Sequence, residues 1–67
     1  MDQRHYKFYA YGRDDALVAS KTVLCRQDEL QRQAMIVLDE TPEAQRIMVW
    51  RDARQVFRLR RPAAPTP

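Results

Sequence analysis

The sequence predicts a small soluble α+β domain, an antiparallel ββαββ sheet with one helix on one face. Three observations predict it. Residues 5–11 and 17–25 are β-prone, residues 28–38 switch to a helical period stopped by Pro42, and residues 45–60 return to alternation around one short turn. A length of 67 residues suits one domain. That domain is expected over residues 1–61, with residues 62–67 (PAAPTP) a disordered Pro-rich tail that cannot join a ladder.

The first strand reads HYKFYAY from His5 to Tyr11. Alternation places Tyr6, Phe8 and Ala10 on one face and His5, Lys7, Tyr9 and Tyr11 on the other. Gly12-Arg13-Asp14-Asp15 forms the turn, with Gly12 expected to supply the permissive backbone. Leu17 to Cys25 resumes strand, but Leu17, Ala19, Val23 and Cys25 share a parity with Lys21, and a bulge near Ser20–Lys21 would repair that. The helix is expected from about Asp28 to Leu38, with Asp28 as N-cap and Gln31 as its capping-box partner. At 100° per residue Leu30, Ala34, Val37 and Leu38 share one stripe, Met35 flanks it, and Ile36 falls among Glu29, Arg32 and Glu40 on the wet side. Thr41-Pro42-Glu43-Ala44 then makes a short turn. Gln45 to Arg51 is the third strand, with Ile47 and Val49 facing one way and Met48 and Trp50 the other. A three-residue loop, Asp52-Ala53-Arg54, sets Phe57 and Leu59 beside Val49 and Ile47 and turns Val56, Arg58 and Arg60 outward; a two-residue loop would invert this.

So short a chain builds a modest core and usually needs a staple. Cys25 is the only cysteine and His5 the only histidine, so neither an internal disulfide nor a metal cluster is expected. Self-association is the staple that remains, and a homodimer is expected, with hairpin exchange between copies as a variant. The longest apolar run, Ala34 to Leu38, is far too short to span a membrane, and the start MDQRH predicts no secretory signal. A lone cysteine suits a reducing compartment, so the expected location is cytoplasmic.

Charge is unevenly spread. Residues 1–44 hold six Lys/Arg against eight Asp/Glu, whereas residues 45–67 hold six Arg against Asp52 alone. Such a segment suits an anionic partner.

The aromatic first strand, the acidic turn, the strand ending in Cys25, the charged helix and the ending V-W-x-x-x-R-x-V-x-R-L (Val49 to Leu59) occur here in one order. This pattern resembles a family of short uncharacterised proteobacterial proteins with a small ββαββ domain, over residues 5–61. Its most specific part is Val49–Trp50 with Arg54, Val56, Arg58 and Leu59. The chain departs from the family at Asp52-Ala53, where a glycine is common, and at Met48, where a polar residue is usual. The resemblance implies the fold and lends no activity.

Catalysis finds little support. A nucleophilic Cys25 would need His5 as its base, and a buried structural cysteine is the simpler expectation. Gly12 is the only glycine, so no phosphate-cradling loop exists, and no cofactor or small-molecule substrate is indicated. The expectation is no enzyme.

Two surfaces remain. Arg51, Arg54, Arg58, Arg60 and Arg61 form a cluster that could contact an anionic partner, with Tyr9, Tyr11 and Trp50 as stacking platforms; alternatively these charges only protect a terminal strand from pairing. Tyr9, Tyr11, Met48 and Trp50 all point away from the helix, and with Ile36 they form the candidate interface. The leading expectation is therefore a homodimeric protein-interaction module. A nucleic-acid-binding protein using the last hairpin comes second, and a small mobile-element-type inhibitor docking on an acidic protein surface third.

Overall fold

A computed structural model describes residues 2–62, so the expected tail lies, from residue 63 on, outside the described residues. Four strands form one antiparallel sheet: β1 (Arg4–Tyr11), β2 (Leu17–Cys25), β3 (Arg46–Arg51) and β4 (Arg54–Arg60), in the order β2-β1-β3-β4. Between the hairpins a 3₁₀ turn (Gln27–Glu29) leads into one helix, α1 (Leu30–Glu40). This is the ββαββ domain that the sequence predicts.

The core lies between α1 and one face of the two central strands. Phe8, Ile47 and Val49 are the largest fully buried side chains. In the register Phe8 stands beside Val49 and Ala10 beside Ile47, and β4 continues the rows with Phe57 and Leu59. From the helix Leu30, Ala34, Val37 and Leu38 close over them, the stripe expected from the 3.6-residue period.

Several local expectations are corrected. The helix begins later than Asp28, and Asp28 is not its cap. The backbone N–H of Arg26 donates to the Glu29 carboxylate at 2.8 Å, while the Glu29 N–H donates back to the Arg26 carbonyl at 3.0 Å. The three-residue spacing of a capping box thus runs from Arg26 to Glu29 rather than from Asp28 to Gln31. Asp28 instead accepts from the Arg26 guanidinium at 3.0 and 3.2 Å.

Strand β2 needs no bulge at Ser20–Lys21, where its pairing with β1 is continuous. Lys21 does face the helix side, opposite Phe8, and it stays wet by reaching 3.7 Å to Glu40. The slip comes earlier: Ala10 pairs with Ala19 and Tyr11 with Leu17, so Val18 is the extra residue.

The left-handed backbone of the first turn belongs to Asp15 (φ 58°) and not to Gly12. Gly12 is there for space, because a Cβ would stand 3.2 Å from Val18 Cγ1 and 3.4 Å from the Glu43 carbonyl. In the last hairpin Arg51 pairs with Arg54, so the loop is the two residues Asp52-Ala53, with Asp52 (φ 56°) in place of a glycine. Phe57 and Leu59 nonetheless face the core, because a bulge at Val56, between Trp50–Gln55 and Val49–Phe57, restores the parity. Val56 accordingly packs against the core instead of pointing outward.

Candidate functional site

One helix covers one face of the sheet and leaves the other open. The register arranges that open face in rows. Thr22, Lys7, Trp50 and Gln55 form one; Ser20, Tyr9, Met48 and Arg58 the next; Leu17, Tyr11, Arg46 and Arg60 the third. His5 and Leu24 lie beyond the first row. Tyr9, Tyr11, Met48 and Trp50 are half-buried and occupy the two central strands. Aromatic residues two apart along a strand are spaced by roughly 7 Å, and Tyr9 and Tyr11 have that relation.

The charges that the strands themselves carry on this face have one sign. None of the four strands contains an aspartate or glutamate. Lys7, Arg46, Arg58 and Arg60 all lie on the open face. Arg46 is held in place: its guanidinium carbon lies 5.0 Å from the Tyr11 ring centroid, and one nitrogen is 3.0 Å from Asp15 Oδ1. The left-handed turn at Asp15 delivers that carboxylate. No ion pair among the described residues engages Lys7, Arg58 or Arg60.

The arginine cluster of the sequence is divided by the fold. Arg58 and Arg60 join the aromatic strip, and Arg46 is a member that sequence reasoning missed, although alternation from Met48 and Trp50 was enough to find it. Arg51 and Arg54 sit at the hairpin tip, lining a shallow hollow with Tyr6, Gln27 and Val56. Arg61 is turned inward. Its Nε donates to the Ala44 carbonyl at 2.9 Å and its Nη2 to the carbonyls of Leu38 at 2.8 Å and Thr41 at 3.3 Å. It therefore serves the C-terminal end of α1, and an anionic partner would have to compete with those carbonyls.

The candidate interface is divided too. Ile36 lies with Met35 on the outer side of α1, among Asp28, Gln31, Arg32 and Asp39. That is across the whole domain from Trp50.

Cys25 and His5 do not form a dyad. Cys25 pairs with Arg4 and is buried, while His5 pairs with Leu24 one position along, so their side chains take opposite faces. Burial pushes the Cys25 thiol above its ordinary value of 9.0, and the Glu29 and Asp28 carboxylates add to that. A thiol raised in the folded state contributes stability that is intact below its unfolded pKa and lost as pH rises through the folded one. Above about pH 9 the wild type should therefore lose urea resistance faster than Cys25→Ala, and at neutral pH Ellman's reagent should label Cys25 only on unfolding. Parallel urea midpoints for the two proteins through that range would refute the linkage.

Among the described residues, no group of His, Cys, Asp or Glu is placed to hold a metal ion, and no helix is long and apolar enough to cross a membrane. The arrangement offers π-faces at the centre of a sheet, cations around them and no carboxylate between. Comparison with protein-family models, curated proteins and solved structures finds no match.

Proposed function

We propose that this chain is a non-enzymatic binding module whose open sheet face holds single-stranded nucleic acid. The observation that carries the reading is the composition of that face. Tyr9 and Trp50 lie on that face with rings for base stacking, Tyr11 carries the Arg46 guanidinium over its own ring, and Lys7, Arg58 and Arg60 stand beside them for phosphates. Every acidic side chain of the domain lies off the strands. Bases splayed on aromatic residues with flanking cations are how open sheets bind single strands.

The same composition argues against burying Trp50 and Met48 between two copies face to face. Lys7, Arg58 and Arg60 of each copy would meet their own kind in a desolvated interface, where like charges cost several kcal/mol. Docking on an acidic protein surface would satisfy the cations but leave the rings of Tyr9 and Trp50 unused.

Trp50 is the only tryptophan, so its fluorescence reports directly on the site. Titration with single strands of about 10 nucleotides should quench it. The logarithm of affinity should fall against log salt with a slope of roughly −2 to −3, as expected for three or four phosphates on a single strand. Arg58→Ala should reduce that slope by about 0.7, whereas Arg54→Ala, at the hairpin tip, should leave it unchanged. No saturable binding of RNA or DNA at low salt would remove the proposal, as would an acidic polypeptide that binds equally well and still responds to Arg58→Ala.

A further inference from the structure

The two edges of the sheet are unlike. β4 displays Arg54, Arg58 and Arg60, and charge of that kind keeps a strand edge from pairing with another chain. β2 is nine residues long, lacks proline and glycine, and holds one charge, Lys21, which is drawn toward Glu40 of its own helix. Along it Leu17, Val18 and Leu24 remain 54%, 39% and 52% exposed. A long, nearly neutral edge with exposed leucines is a template for another strand.

We propose that β2 pairs antiparallel with β2 of a second copy, joining two domains edge to edge in one eight-stranded sheet. The strand is complementary to itself. A two-fold axis at Lys21 sets Leu24 of each copy opposite Val18 of the other, so the exposed apolar side chains meet twice. Ser20 then stands opposite Thr22, a pair that suits the wet face. At the axis the two Lys21 side chains stand opposite each other, and the Glu40 carboxylate beside each offsets their like charge. The bulge at Val18 ends the ladder on one side, so the pairing spans Val18 to Leu24. An axis perpendicular to the sheet places both open faces on one side and both helices on the other. The aromatic and cationic strips of the two copies then lie on one continuous surface, without the charge conflict of a face-to-face dimer.

The test is made without nucleic acid, so its outcome is independent of the binding proposal. Sedimentation equilibrium at tens of micromolar should give twice the 8.0 kDa of the chain. Leu24→Lys should stay folded, because the side chain is already exposed, and should raise the dimer dissociation constant roughly tenfold or more. Lys21→Cys should form a disulfide-linked dimer on mild oxidation, since residues facing each other across an antiparallel pair lie about 4.5–5.5 Å apart at Cα. Arg58→Cys, on the opposite edge strand, should not. A monomer at that concentration overturns the proposal, and so does a dimer indifferent to Leu24→Lys or one cross-linked through position 58 in preference to position 21.

Discussion

Phe8→Ala is expected to abolish cooperative folding at room temperature. Phe8 is fully buried on a central strand, beside Val49 in the register and beneath the helix residues that close the core. Removing a buried phenylalanine ring costs roughly 3–5 kcal/mol, the lost transfer energy plus the cavity. A single core in a domain of this length supplies no more than about 3–5 kcal/mol of net stability. The loss is therefore comparable to the whole. The sheet offers little chance of collapse around the gap, because ladders on both sides hold β1 in place. Phe8→Leu keeps most of the volume and should melt cooperatively at a lower temperature. Melts should be compared at one protein concentration, since pairing through β2 would make stability depend on it. Circular dichroism decides the matter: a cooperative Phe8→Ala transition within a few degrees of wild type would mean that Phe8 is not the keystone of this core.

What the sequence revealed follows from how far each signal reaches. The helix stripe of Leu30, Ala34, Val37 and Leu38 and the inward set Tyr6, Phe8 and Ala10 were legible because periodicity reports burial directly. The errors cluster where the backbone departs from regular geometry. Two left-handed residues are aspartates, which tolerate that conformation but do not announce it as glycine does. The last hairpin shows how two such errors cancel: a two-residue loop and a bulge at Val56 give the same parity for Phe57 and Leu59 as the three-residue loop expected. Lys21 is instructive in another way. It broke the alternation of β2, yet an edge strand can hold a lysine on its inner face when a helix carboxylate stands at the rim.

The candidate site was legible as a set of residue types and not as a place. Alternation correctly sent Tyr9, Tyr11, Met48 and Trp50 to the uncovered face. Proximity in sequence then grouped five arginines that the fold sends to three locations. Strand parity separates Arg58 and Arg60 from the hairpin tip, and only the crossing of α1 over the sheet reveals what Arg61 meets. The absence of any carboxylate from the strands was readable throughout, but it gains meaning only when the strand bounds are known.

That division gives the sharpest contrast available between two adjacent residues. Arg60→Ala should weaken oligonucleotide binding and leave stability almost unchanged, because Arg60 is an exposed side chain on the open face, in the row of Arg46 and Tyr11. Arg61→Ala should do the reverse. Its guanidinium donates to the carbonyls of Leu38, Thr41 and Ala44; the first two also accept the backbone N–H groups of Thr41 and Ala44 at 3.2 and 2.9 Å, so the Ala44 carbonyl is the one that leans on Arg61 most. Hydrogen bonds from a charged donor are each worth about 1.5–3 kcal/mol, and a partly buried carbonyl left unsatisfied adds its own cost. A loss of about 2 kcal/mol would lower the melting temperature by on the order of 10 °C in a domain of this size. Arg61→Lys keeps the charge near the negative end of the helix but cannot reach three carbonyls with one planar fork, so it should recover only part of the loss. Thermal melts and Trp50 fluorescence titrations on the same four proteins read the two effects separately. If Arg61→Ala melts like wild type while binding falls, the guanidinium serves the partner and not the helix, and Arg61 returns to the anion-binding surface.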